Sequence, residues 1–592
     1  MESQPNGNIP ARHTVSLGKH EAEFRGAMER VERDQSVARL WKKDHTLWKS
    51  EPEHEGVIAN SLGWLTVAEN MQAKAAELDA FAHEIRDAGF EFAVVLGMGG
   101  SSLCPEVLAR TFGRRDGFPR LYVLDSTVPT AIRHLEQKID VGRTLFIVSS
   151  KSSTTTEPQM FQRYFRDRVR RVKGDIGGEN FIAITDPGSQ LAKEAAHNHF
   201  RRIFLDMPDI GGRYSALSHF GMVPLALMGG EVKKFLERAA DVTRACADSV
   251  PANENAGARL GAVLASLAAA GRNKLTLITP PPLQSLGLWI EHLLAESLGK
   301  EGKGIVPIVG EPLAAPDVYG DDRVFVCIHT EPGARELDSN LTALEAAGHP
   351  VLRHALRDLS DLGGEFFLWE FATAIAGSLL AVNPFDQPDV QESKDNTARL
   401  LAEYVQTDTL TQQKLVAAET SLRIFADAEN CDLLRRGGSS LQSMLTTHLA
   451  RLNPGDYFAI TQFIEELNNY ESLLQELRLA VRDEKRVATT TGYGPRFLHS
   501  TGQLHKGGPD SGVFLQLTSE DINDIDVPGE KFSFSVLKQA QALGDFEAWS
   551  KHQRRAIRVD LGRDVEKGLR RLLAMVKEAL AQPAVAAAAV TK

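Results

Sequence analysis

Two turns rich in glycine and hydroxyl groups carry the first chemistry in this 592-residue chain. FAVVLGMGGSSLCP (92–105) runs from an apolar stretch into Gly97, Gly99 and Gly100, then into Ser101 and Ser102. Glycine lets a backbone approach an anion closely, and a helix opening at the serines adds free N–H donors and a favourable dipole. FIVSSKSSTTTEP (146–158) supplies hydroxyls at Ser150, Ser152 and Thr155 that can donate to phosphate oxygens, while Lys151 sets a positive local potential. The first turn is not G-x-G-x-x-G, and neither a Walker lysine nor a ribose-binding acid completes a nucleotide site. The pair suits a sugar phosphate better than a nucleotide.

These turns need parallel strands to hold them. Short apolar runs at 92–97, 121–125, 144–150, 181–186 and 202–206 are each followed by a segment long enough for a crossover helix, as in a parallel sheet covered on both faces. A second set follows at 275–280, 304–310, 323–329 and 350–356. The expected fold is therefore α/β, with two doubly wound parallel-sheet domains at 51–230 and 231–400. They are preceded by a lead (1–20 disordered) and helix over 1–50. Beyond them the pattern predicts a helical insertion over 401–485, a C-terminal α/β segment over 486–582 and a frayed tail at 583–592.

Composition narrows the classes. A net charge of −11 argues against nucleic-acid binding. Four scattered cysteines, with no C-x-x-C spacing, fit a reducing cytoplasm rather than a disulfide framework. No run approaches the ~18–20 apolar residues of a membrane span, and the N-terminus lacks the apolar run of a signal peptide. A soluble cytoplasmic protein is expected.

DIGGRYSALSHFG (209–221), HLLAESLGKEGKG (292–304) and NPFDQPDVQESK (383–394) follow the two turns in order. Together the five motifs resemble the glucose-6-phosphate isomerase family. Their details, with GPRFLHSTGQLHKGG (494–508), are most similar to the isomerase half of bifunctional transaldolase–glucose-6-phosphate isomerases. No transaldolase half is expected within these residues, since a barrel of about 250 residues has no room before the first strand. The resemblance implies two sugar-isomerase (SIS-like) domains, usually completed in a homodimer, with a separate transaldolase as a possible partner. It implies interconversion of glucose 6-phosphate and fructose 6-phosphate through a cis-enediol, with neither metal nor redox cofactor. Ser101, Ser150, Ser152 and Thr155 would hold the phosphate with Gln387 beside them, on the backbone of Gly99 and Gly100. Glu296 matches the family's base, Arg213 the arginine beside the reacting carbons, and Lys394 the lysine at the ring-oxygen end.

The chemistry supports these roles independently. One carboxylate can serve C2 and C1 in turn, and the enediolate needs a fixed cation that keeps its own proton, which describes Arg213. Two departures stand out. The family's ring-opening histidine usually precedes the FDQ segment, where no equivalent is found; LHKGGPDSGVFL (504–515) resembles it downstream, making His505 the candidate and His499 the runner-up. His292 stands where many members carry a phosphate-contacting glutamine. A non-catalytic sugar-phosphate sensor would keep the turns while being free to lose Glu296, Arg213 and Lys394, which are all present. A nucleotide-dependent oxidoreductase lacks a complete fingerprint.

Overall fold

A computed structural model describes residues 12–411 and 413–581. Two compact units divide the chain: Met1–Asp125, His134–Gly310 and Val324–Gln387 form the first, and Ser126–Arg133, Glu311–Arg323 and Pro388–Lys592 the second.

The first unit contains, in chain order, β1 (His13–Ser16), β2 (Phe92–Leu96), β3 (Arg120–Leu124), β4 (Thr144–Ser149), β5 (Phe181–Thr185) and β6 (Arg202–Leu205). Then come β7 (Lys274–Ile278), β8 (Val306–Ile308), β9 (Arg323–Thr330) and β10 (Val351–Leu356). One sheet has the order β3-β2-β4-β5-β6 with every neighbouring pair parallel. All six residues of β4 are buried, as expected of a parallel strand covered on both faces. β2 lies between β3 and β4, so chain order reverses there. In open parallel sheets the crevice at such a point, beyond the strand C-termini, is where ligands bind. The second sheet has the order β1-β10-β9-β7-β8, with β10–β9 and β7–β8 parallel.

Four helices of this unit matter for the site: α1 (Gly100–Phe112), α2 (Thr156–Lys173), α3 (Leu286–Leu298) and α4 (Leu362–Leu380). Helix α4 is apolar around its circumference and buried from Leu362 to Ser378, the signature of a helix inside a core rather than on its surface. Trp289 of α3 packs on Phe366 of α4, with ring centroids 4.5 Å apart.

The second unit has its own core and a six-stranded sheet: β11 (Leu415–Glu419), β12 (Leu422–Phe425), β13 (Tyr457–Phe463), β14 (Ala488–Tyr493), β15 (Gly512–Thr518) and β16 (Arg555–Asp560). β14, β13, β15 and β16 run parallel, while β12 and β11 continue the sheet antiparallel. Its helices include α5 (Pro388–Thr407), α6 (Gly502–Gly507) and α7 (Phe534–Lys551).

The sequence expectations need three corrections. The stretch 401–485 is not a helical insertion: it supplies β11, β12 and β13, which join the C-terminal strands in one sheet. Two of these strands are only five and four residues long, and seven-residue β13 was hidden between longer helical patterns. The lead is ordered from residue 12, where β1 pairs antiparallel with β10; four residues are too few to show a period. The two domains expected at 51–230 and 231–400 fall largely within one compact unit, whose last segment ends at Gln387 and not at 400. Residues 1–11 and the tail expected at 583–592 lie outside the described residues. All four cysteines are buried and unpaired, and among the described residues no helix is long and apolar enough to cross a membrane.

Candidate active site

The glycine turn leaves the C-terminus of β2. Gly99 has φ +58°, a region that L side chains rarely adopt, and Gly100 begins α1. A Cβ on Gly100 would lie 1.9 Å from the carbonyl oxygen of Gly212. Only glycine therefore lets the start of α1 sit against the backbone that carries Arg213. The adjacent turn after β4 is tied to the first, since Ser149 Oγ donates to the Ser101 carbonyl at 3.3 Å.

The hydroxyls of the second turn differ in state. Ser150 Oγ and Ser153 Oγ are buried with no hydrogen-bond partner in the protein. Buried hydroxyls without a partner are uncommon, and a phosphate would satisfy them. Ser152 is exposed and shares a 2.8 Å hydrogen bond with Thr154. Thr155 precedes the first turn of α2 and makes no side-chain cap. Lys151 donates to Asp186 Oδ1 at 2.5 Å and to the Met207 carbonyl at 2.8 Å, which fits a role in local potential rather than direct phosphate bonding.

Arg213, 5% exposed, is the hub. Its guanidinium donates to the carbonyls of Pro384 (3.1 Å) and Asp386 (2.7 Å) and to Gln387 Oε1 (3.0 Å). Its Nη1 also lies 2.9 Å from Glu296 Oε2. A planar guanidinium can satisfy this many acceptors at fixed angles, where an ammonium cannot. Glu296 lies on α3, and its Oε2 is also 2.7 Å from His292 Nε2, one helical turn earlier. Burial alone would raise the Glu296 carboxyl, but Arg213 and His292 overrule it and hold the group well below the usual carboxylate range.

Lys300 was not singled out from the sequence, although it closes the quoted E-S-x-G-K run. It is 2% exposed and donates to the carbonyls of Asn383 (2.7 Å) and Asp386 (2.5 Å) and to Asp386 Oδ1 (2.8 Å). Burial first, then the Arg213 charge, push its ammonium down to about 8, against the opposing pull of Asp386. Arg213 and Lys300 thus clamp the carbonyls of the 383–387 segment between them. Ser153 was likewise missed, as one hydroxyl in a run of them.

The structure gathers Gly99, Gly100, Ser101, Ser150, Arg213, Glu296 and Gln387 within the first unit. Lys394 and His505 belong to the second. Lys394 is exposed on α5. His505 is not on an open loop: it sits in α6, 3% exposed, with neither ring nitrogen hydrogen-bonded. The rings of Tyr457, Phe514 and Trp549 surround it with centroids 5.2 to 6.3 Å away. Burial, followed by Lys506 and Arg554, pushes its imidazole down to about 3. His499 is half-buried.

Among the described residues, one group could converge on a cation: His13, His354 and Glu365. Both rings already face the carboxylate, His13 Nε2 at 3.4 Å and His354 Nδ1 at 3.1 Å, and Trp369 Nε1 donates to it at 3.1 Å. A cavity of about 440 Å³, lined by residues such as Asp79, His83, Arg115 and Lys234, shares no residue with the Arg213–Glu296 cluster.

The family model described as phosphoglucose isomerase matches residues 70–306, a span containing both turns, Arg213 and Glu296. A glucose-6-phosphate isomerase of Symbiobacterium thermophilum is 30% identical over 400 residues, 59% of this chain and 88% of that protein. One from Rubrobacter xylanophilus is 29% identical over 365 residues, covering 53% of this chain and 83% of its own length. Among solved structures, a glucose-6-phosphate isomerase of Chlamydia trachomatis matches with a TM-score of 0.57 at 19% identity, over 67% of this chain and 90% of that one. That last likeness is one of fold.

Proposed function

This chain belongs to the phosphoglucose isomerase family, and on that premise we propose that it interconverts glucose 6-phosphate and fructose 6-phosphate by proton transfer. The observation that carries the reading is Glu296. It is a buried carboxylate whose contacts from Arg213 and His292 both fall on Oε2, leaving Oε1 as the basic atom. The phosphate is assigned to Ser101, Ser150, Ser152 and Thr155, in the turns that lead into α1 and α2, where the helix dipoles favour an anion.

The chemistry then follows from the side chains. Oε1 takes the C2 proton of the open aldose, the C2–H electron pair becomes the C1–C2 double bond, and the carbonyl pair moves to O1. The hydrogen of O2 passes to O1, the same proton returns to C1 on the electron pair of the C1–C2 double bond, and the O2 pair becomes the new carbonyl at C2, so no atom or electron is gained or lost. Arg213 is assigned to the charge that develops on the enediolate oxygens. In the free protein this arginine is paired with Glu296, which suppresses the base. A substrate whose carbonyl oxygen draws the guanidinium off the carboxylate as charge develops on O1 restores basicity while the C2 proton is being taken.

Ring opening requires an imidazole that can touch the sugar. Both candidates lie in the second unit, and burial supports His499 over His505 as the ring accessible to substrate. Lys394 keeps the ring-oxygen role that the resemblance gives it. A homodimer, a cytoplasmic location and a separately encoded transaldolase partner complete the reading as proposals; light scattering tests the first.

The deciding experiment is an assay of fructose 6-phosphate conversion by the purified chain, coupled to glucose-6-phosphate oxidation. Turnover that persists after exhaustive dialysis against EDTA, without added nucleotide, is the expected result. Sugar-phosphate binding without turnover would make the chain a sensor instead.

A further inference from the structure

His292 lies on the buried face of α3, 2% exposed. Its Nε2 is 2.7 Å from Glu296 Oε2, and its Nδ1 is buried without a hydrogen-bond partner. Nε2 is therefore already committed to the carboxylate and is not presented to a phosphate. The four-residue separation stacks the two side chains on one helix face. Because an ionised carboxylate only accepts, Nε2 carries the hydrogen and donates it.

Arg213 holds the same oxygen, but it also serves the 384–387 segment and is needed by the enediolate. His292 has no such second task. We infer that His292 is the positioning residue of the catalytic base: it pins Oε2 throughout the cycle, so that Oε1 keeps its aim when Arg213 turns to the reacting oxygens. This inference rests on Glu296 being the base, as proposed above.

The mechanical argument is simple. A glutamate has three side-chain torsions, and its terminal one is broad. With Arg213 drawn away and His292 absent, the carboxylate plane is free to rotate, and neither oxygen is held in line with the C2 proton. A misplacement of about 1 Å at a reacting atom can cost ~100-fold in rate. A donor on Oε2 also leaves the substrate's phosphate contacts untouched, so the effect belongs to kcat and not to KM.

The test uses the full chain as wild type, His292→Leu, His292→Gln, Glu296→Gln and the His292→Leu/Glu296→Gln double variant. Leucine keeps bulk without a donor, whereas glutamine places an amide N–H near the position of Nε2. The readouts are kcat, KM, the primary isotope effect with glucose 6-phosphate deuterated at C2, and competitive inhibition by inorganic phosphate. For His292→Leu, the expected result is a fall in kcat of about 10- to 100-fold, with a larger isotope effect and phosphate inhibition within about twofold of wild type. His292→Gln recovers most of kcat, and His292→Leu adds little in the Glu296→Gln background, as coupled residues require.

Unchanged kcat in His292→Leu overturns the inference. So does weakened phosphate inhibition that accounts for the whole loss in kcat/KM, because His292 would then be a phosphate ligand. If His292→Leu does not fold, His292→Gln decides: an isotope effect and kcat near wild type support positioning, and a kcat loss equal to that of Glu296→Gln refutes it. An inactive wild type, or full turnover in Glu296→Gln, sinks the proposed function and this inference together. Failure of His292→Leu alone leaves the isomerase reading intact.

Discussion

Replacing Glu296 with glutamine separates catalysis from folding at a single atom. Both donors that reach the side chain, Arg213 Nη1 at 2.9 Å and His292 Nε2 at 2.7 Å, meet at Oε2. The amide oxygen of a glutamine takes that place, because an NH₂ group there would face two donors. The amide nitrogen is thereby forced into the Oε1 position, where it offers hydrogens instead of accepting one. Two charge-assisted hydrogen bonds of roughly 1.5–3 kcal/mol each become neutral-acceptor bonds of about 1 kcal/mol, costing roughly 1–4 kcal/mol of stability. The folded fraction should survive that loss, while kcat falls by about 10²–10⁴-fold or more. Coupled turnover and deuterium uptake at C2 from heavy water measure the loss; urea denaturation measures the stability. The pH dependence supplies a second check. The wild-type carboxyl is held below its ordinary value of about 4.3, so its contribution is complete above that pH and disappears as pH falls through the lower folded value. The stability gap between wild type and variant should narrow below about pH 4. Turnover within tenfold of wild type in a folded Glu296→Gln protein would refute the argument.

Ser150→Ala removes a buried hydroxyl that has no partner in the protein, so stability should hold or rise slightly, by up to ~1 kcal/mol. KM should meanwhile increase and kcat/KM fall by about 1–3 kcal/mol equivalent, with Thr155→Ala raising KM in the same way; unchanged kinetics in the double variant would place the phosphate elsewhere. Gly100→Ala drives a methyl group into the Gly212 carbonyl, and the strain of overpacking, about 1–3 kcal/mol, should pull the glycine turn away from Arg213; a lower urea midpoint together with reduced kcat is expected. Lys300→Met removes three donors from the 383–386 segment and should lower the urea midpoint at neutral pH. Because the folded ammonium is pushed down to about 8, below an ordinary value of about 10.4, the unfolded state binds more protons between those values and wild-type Lys300 gains stability there as pH rises. The deficit of Lys300→Met should widen over that window, and a constant deficit would contradict the buried charge.

The parallel sheets were legible because β2, β4 and β5 are short apolar runs closed by turn residues, and a crossover helix separates each from the next. Their functional end was legible too, since the glycine turn and the serine–threonine turn leave neighbouring strands. What escaped was structure whose pattern does not repeat. β1 is four residues long and depends on β10 for its definition. β11 and β12 form a short antiparallel edge, and β13 is a buried strand that lacks the alternation of a half-exposed one. Such segments are strands because of what they pair with, which is a tertiary fact. The burial of His505 escaped for a related reason. Glycines on either side of it read as a loop, yet α6 folds it beneath Tyr457, Phe514 and Trp549, aromatic residues that lie up to 48 positions away in the chain.

At the site, residue type was more legible than pairing. Glu296 and Arg213 stand out through their motifs, but no motif says that they touch across 83 positions or that both contacts on the carboxylate fall on one oxygen. His292 is the instructive case. It replaces a phosphate-contacting glutamine of the family, a departure that puts that contact in doubt and says nothing of what the ring does instead. The helix supplies that. A spacing of four places two side chains over one another on the same face, and a face buried along its length leaves a ring nitrogen few partners besides the neighbouring carboxylate. The same geometry explains why Lys300 was overlooked: it follows the end of α3 at Leu298, where helical spacing no longer predicts direction. Only the folded 383–387 segment, with its carbonyls turned towards two buried cations, shows what that lysine is for.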